Sequence, residues 1–211
     1  MRIFSASAIA LILANLVTVY GVIFYQWDFT NILLLYWCES LIIGVMTIIK
    51  MIVANPGVNA NHFVKLAAIP FFMVHYGGFM AGHFVFLMLL TTFLRTGVNG
   101  GPFMELLDDT SLHLIAVTPA IISLCGSHLF SLIANYFGKK EYVTRTVMQL
   151  FGSPYKRIFV MHLTLLFGVF IAFTFGKNLG VVILFVCLKT IADLAAHNKE
   201  HGFAQLNLRS V

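Results

Sequence analysis

"FTNILLLYWCESLIIGVMTIIKMI", residues 29 to 52, decides the fold class: its only charged side chains are Glu39 at the centre and Lys50 near the end. At about 1.5 Å per residue such a run, once helical, spans a hydrocarbon core roughly 30 Å thick. The rest of the chain repeats this composition. Of 211 residues, 60% are hydrophobic and 10% charged, whereas soluble domains carry about a quarter charged residues. The polar surface of a water-soluble domain is missing, which predicts an integral membrane protein.

Runs of about twenty mostly apolar residues predict six transmembrane helices, at roughly 3–25, 29–52, 66–94, 111–137, 157–175 and 178–197. The predicted fold is all-α, a polytopic membrane helix bundle forming one domain over residues 1–211. The first run is too long for a signal-peptide core and lacks a small-residue cleavage site before "QWDFTN", so it belongs to the mature chain. Its short link to the second run fits a tight helical hairpin. Cys38, Cys125 and Cys187 lie in apolar runs without CxxC spacing, which suggests neither disulfides nor a thiolate metal site.

Cytoplasmic loops retain Lys and Arg, and this chain is strongly asymmetric. Arg2, Lys50, Lys65, Lys139, Lys140, Arg145, Lys156, Arg157, Lys199 and Arg209 fall on the side of both termini, with Arg95 and Lys177 opposite. Both termini are therefore expected in the cytoplasm. The net charge of +5 reflects this topology. Nucleic acid is not an expected partner, because no basic groove interleaved with aromatic residues accompanies the charge. The link "GKKEYVTRTVMQLFGSPYKR" alternates basic and apolar residues. It predicts an interfacial amphipathic helix between the fourth and fifth spans, ended by Gly152 and Pro154, with Lys156 and Arg157 reaching lipid phosphates.

Ionisable groups within a span cost roughly 2.5–3.5 kcal/mol each on insertion scales and usually face a partner or a cavity. Lys189, Asp193 and His197, in "KTIADLAAH", fall at about 0°, 40° and 80° on one face of the last span. His162 in the fifth span matches Asp193 in depth. Glu39 and His75 lie near the middle of theirs, and His83 is nearer the outer end. His75 and His83, eight residues apart, differ by about 12 Å of rise and cannot easily bind one ion from an unbroken helix. The Gly78 and Gly82 spacing is a small-xxx-small pattern suited to close helix approach. For His83 and His128 the plain reading is a hydrogen bond to a backbone carbonyl.

"YWCES", "HYGGFMAGH", "SPYKRIFVMH" and "KTIADLAAH" together resemble an uncharacterised family of bacterial and archaeal six-helix membrane proteins, a domain of unknown function. The resemblance implies a bacterial inner (plasma) membrane location and no particular activity. Rhomboid proteases are a distant analogy, but here "CGSHLF" places His128 where their serine motif closes on glycine. Alkaline ceramidases and adiponectin receptors share residue types, within seven helices.

Three functions fit these residues. The first is a metal-dependent hydrolase acting on a lipid or other amphiphilic substrate. It would bind zinc, with iron as the alternative, through His75, His162, Asp193 and His197, since imidazole and carboxylate ligands suit those metals. Glu39 would act as base and Lys189 would stabilise developing negative charge. The second is a proton- or metal-coupled transporter with an intramembrane relay of His, Asp, Glu and Lys. The third is a structural or assembly subunit whose polar residues only fix helix register.

Overall fold

The computed structural model of the chain describes residues 6–55, 62–96, 103–175 and Val186. Among these residues the secondary structure is helical, apart from one isolated bridge between Asn55 and Thr146. Helix α1 is Ala6–Phe24, α2 is Phe29–Val53 and α3 is Phe63–Thr96. Helix α4, Phe103–Ser131, passes into a π-helical turn, Leu132–Phe137; a single turn α5, Glu141–Thr144, then leads into α6, Val147–Phe175. The all-α class expected from composition is the class observed. Phe29–Val53, Phe63–Thr92 and Thr110–Phe137 are long and apolar enough to cross a membrane, and they coincide with the second, third and fourth expected spans. The expected span 178–197, with Lys189, Asp193 and His197, lies outside the described residues apart from Val186.

Two compact units are distinguished, one drawn from Met1–Phe29 with Leu163–Val211 and one from Thr30–His162. In the first, the chain reverses directly after α1. The amide nitrogens of Tyr25 and Trp27 both donate to the Gly21 carbonyl, at 3.0 and 3.2 Å. The Trp27 ring lies over Gly21, where a Cβ would collide with it. Gln26 takes the left-handed conformation needed for the turn, with φ 53°.

The second unit is organised around α2. Its residues Ile32, Leu33, Leu34 and Leu35 are all buried, so α2 is covered on every side along this stretch, as an all-round apolar sequence allows. Helix α3 packs on it antiparallel. The Trp37 indole N–H donates to the Met80 carbonyl at 2.8 Å, and the Tyr76 hydroxyl donates to the Ser40 carbonyl at 2.7 Å. A Cβ on Gly44 would collide with the Tyr76 ring, so the missing side chain is what lets Tyr76 reach α2. Helix α4 runs parallel to α2, joined by Asn31 Nδ2 to the His113 carbonyl at 3.3 Å and by Tyr136 Oη to the Lys50 carbonyl at 2.8 Å.

The basic ends of these helices meet. Lys65, in the first turn of α3, donates from Nζ to the Ile52 carbonyl in the last turn of α2, at 2.8 Å, satisfying a carbonyl the helix leaves free. Asn55 exchanges backbone hydrogen bonds with α5 and the start of α6, from its N to the Tyr142 carbonyl and from Val147 N to its own carbonyl. Lys50 lies over the Tyr136 ring, 5.7 Å from its centroid.

The link before α6 corrects the expected interfacial helix. Only Glu141–Thr144 forms a separate turn, and α6 starts at Val147 and continues through Gly152 and Pro154. Proline removes one backbone donor but leaves the remaining helical hydrogen bonds in place, and Pro154 is buried against its neighbours. Helices α3 and α4 likewise contain Pro70 and Pro119. The helix therefore begins ten residues earlier than expected. At about 1.5 Å per residue this moves Arg157 and His162 roughly 15 Å further along it.

Candidate functional site

Helices α3 and α6 run parallel, and their facing residues form a ladder. Phe72 meets Phe151 and Tyr155 with ring centroids 5.7 and 6.2 Å apart, His75 meets Tyr155, and His83 meets His162. The spacing on α6, 151, 155 and 162, keeps one face of a helix toward α3. Two of these rungs are polar.

In the first, His75 Nδ1 and the Tyr155 hydroxyl are 2.8 Å apart. In the second, His83 Nε2 and His162 Nδ1 are 3.1 Å apart, and His83 Nδ1 lies 2.8 Å from the Phe79 carbonyl. A carbonyl oxygen only accepts, so His83 carries its proton on Nδ1. With both rings neutral, His83 presents a lone pair at Nε2 and His162 donates to it from Nδ1. The second nitrogen of His162, Nε2, is left as a lone pair. His83 is buried and His162 exposed, so the open nitrogen belongs to the accessible ring of the pair.

A different polar group lies between α6 and α2. Arg157 Nη1 is 3.6 Å from Glu39 Oε1, with the arginine side chain 31% exposed and the glutamate 8%. The Ser40 hydroxyl lies 3.1 Å from the Tyr36 carbonyl and 3.2 Å from Met161 Sδ. With the Tyr76 hydroxyl on the Ser40 carbonyl, this joins α2, α3 and α6 at one level. Glu39, expected as a general base, is held here against a guanidinium. Arg157, expected among lipid phosphates, is its partner, because the early start of α6 carries it inside the bundle.

A family model described as a family of unknown function (DUF6498) matches residues 2–208. The chain belongs to the DUF6498 family. No curated protein and no solved structure matches it. The resemblance to a domain of unknown function is thereby shown over nearly the whole chain.

In this DUF6498 chain, the expected site residues divide into three groups. Asp193, His197 and Lys189 lie outside the described residues. Glu39 joins the ion pair with Arg157. His75 and His162 sit on separate rungs: the partner of His75, Tyr155, precedes His162 by seven residues, about 10 Å of rise. Among the described residues, no group of three or more His, Cys, Asp or Glu side chains is placed to hold a metal ion. Gly78 and Gly82, expected to admit a neighbouring helix, have open space where a Cβ would stand.

Sequence reasoning missed Tyr76, Tyr155, Arg157 and the pairing of His83. The signal for three of them was the continuation of apolar and aromatic residues at helical spacing from Val147 through Phe151, Tyr155 and Ile158 to His162.

Proposed function

We propose that this DUF6498 protein is a six-helix transporter of a bacterial inner membrane, with both termini cytoplasmic, coupled to protons through the His83–His162 pair. The observation that carries this reading is the 3.1 Å contact between His162 Nδ1 and His83 Nε2, with His83 Nδ1 held on the Phe79 carbonyl. A proton taken up at His162 Nε2 makes an imidazolium whose Nδ1–H is already bonded to a second imidazole, so the charge is shared by two rings. Loading a cation into apolar surroundings is a large electrostatic event in a low-dielectric interior. It supplies a driving force for moving between conformations with different access to water. The clustered basic ends of α2 and α3 support the orientation.

The test is a pH jump applied to proteoliposomes adsorbed on a solid-supported membrane. A transient charge displacement is expected, reduced at least tenfold in His162→Ala and in His83→Ala. A signal no larger than that of empty liposomes overturns the reading.

One observation also favours the hydrolase. A metal-ligating histidine usually donates its other N–H to an acceptor that fixes the ring, and His83 does this for His162. Zinc or iron at His162 Nε2 would need further ligands, for which Asp193 and His197 remain the proposed residues; Lys189 would complete the catalytic set. Protein purified without chelator distinguishes the two readings. One equivalent of metal, lost in both His162→Ala and Asp193→Asn, selects the hydrolase. Charge displacement without metal selects the transporter.

A further inference from the structure

The His75 rung is separate from the histidine pair and has a different hydrogen-bond account. Tyr155 Oη has His75 Nδ1 as its hydrogen-bond partner among the described residues. If the phenol donates to Nδ1, its proton is satisfied and His75 carries its own proton on Nε2. The reverse arrangement would leave both the phenolic proton and the Nε2 lone pair without partners. The first arrangement leaves fewer groups unsatisfied, so His75 presents an N–H donor at Nε2.

His75 is exposed, and it is sandwiched along α3 between two exposed rings, Phe71 at 57% and Phe79 at 45%. The Phe71 ring is stacked on the imidazole, with centroids 5.3 Å apart and planes 11° from parallel, and Phe79 lies 5.4 Å away on the other side. Phe151 of α6 extends the stack, 5.9 Å from Phe71. One helical turn on, the position at Gly78 is open, with no atom within 4 Å of where a Cβ would stand. The surface is a wall of aromatic ring edges, with Phe79 tilted 60° to the imidazole, beside one hydrogen-bond donor.

This inference rests on α3 crossing the membrane, as proposed above, and not on the His83–His162 pair. His75 is twelve residues into the 30-residue Phe63–Thr92 segment, about 18 Å along a helix of about 45 Å; centred on a core of roughly 30 Å, this puts it about 10 Å inside the edge. Phospholipid ester carbonyls sit at the edges of that core and do not reach this depth. An N–H without an acceptor is strongly disfavoured in hydrocarbon, so the donor calls for an acceptor that travels within the bilayer. A carbonyl on a flat conjugated ring satisfies the donor and the aromatic wall together. We propose that His75, backed by Tyr155 and flanked by Phe71 and Phe79, binds the head ring of a membrane-soluble quinone through one carbonyl oxygen.

The test uses the full-length protein in nanodiscs, with 15N-labelled histidine and a benzoquinone carrying a decyl chain as the probe. The His75 Nε2 resonance is expected to shift saturably, with one quinone per chain. Decylbenzene, which has a ring without a carbonyl, and methyl decanoate, which has a carbonyl without a ring, should need at least tenfold higher concentrations. His75→Phe should weaken quinone binding at least tenfold, Tyr155→Phe a few-fold through loss of ring orientation, and His162→Ala not at all. Absence of a saturable shift, unchanged binding by His75→Phe, or decylbenzene binding as tightly as the quinone each overturns the proposal. Failure of the membrane reading is seen separately, as rapid reaction of a Gly78→Cys variant with a water-soluble maleimide.

Discussion

The two sides of α6 treat their polar residues differently. Toward α2, Arg157 is paired with Glu39, and the Ser40 hydroxyl and carbonyl and the Tyr76 hydroxyl are all engaged. Toward α3, His162 and Tyr155 engage one nitrogen each of an inter-helix pair, and the accessible imidazoles, His162 and His75, keep Nε2 open. Both sides lie among apolar side chains, where an unsatisfied polar group is costly. The closed set joins helices. The open set has the capacity to take up a proton or a ligand, and that capacity is the physical reason for assigning function to the α3 side.

If the closed side is structural, its substitutions should act on stability. The largest effect is expected from Glu39→Ala, which strands the Arg157 guanidinium. Breaking a fully buried pair costs about 3–5 kcal/mol, and the 31% exposure of Arg157 lowers the expectation to about 3 kcal/mol. Unfolding in mixed micelles measures it, and Glu39→Leu combined with Arg157→Met should recover most of the loss. Next is Gly44→Ala, whose methyl group meets the Tyr76 ring; overpacking of this kind costs about 2 kcal/mol. Tyr76→Phe removes a single hydrogen bond and should cost about 1 kcal/mol. Lys65→Met, which uncaps the Ile52 carbonyl at the helix end, should cost about 0.5 kcal/mol. By contrast, His162→Ala removes a single hydrogen bond to His83 and should cost no more than about 1 kcal/mol. A large loss there would move the α3 side into the structural class and erase the contrast.

Much of the fold was legible in the sequence because apolar length alone marks a long helix. Helix α2 was expected at 29–52 and is Phe29–Val53. The start of α6 was not legible, because Gly152, Pro154 and the charged pair Lys156–Arg157 read as the end of one helix and the edge of the next. A proline costs a helix one hydrogen bond without necessarily ending it, and Arg157 has a carboxylate waiting on α2. The same error displaced His162. Counted from residue 157 it lies near the end of its helix, beside Asp193 in depth. Counted from Val147 it is fifteen residues in, level with His83. The separation of His75 and His83 into different sites was correctly read from helix rise. Which of the two faces His162 depended on the α6 start, so the sequence indicated the histidines without their pairing.

The His83–His162 pair is tested most directly by 15N NMR of the histidine side chains in nanodiscs. With both rings neutral, His83 should be the Nδ1–H tautomer, and His162 should carry its proton on Nδ1 with Nε2 bare. A coupling through the hydrogen bond should join His162 Nδ1 to His83 Nε2 and vanish in His83→Ala. An Nε2–H tautomer at His83, or no such coupling, would contradict the account.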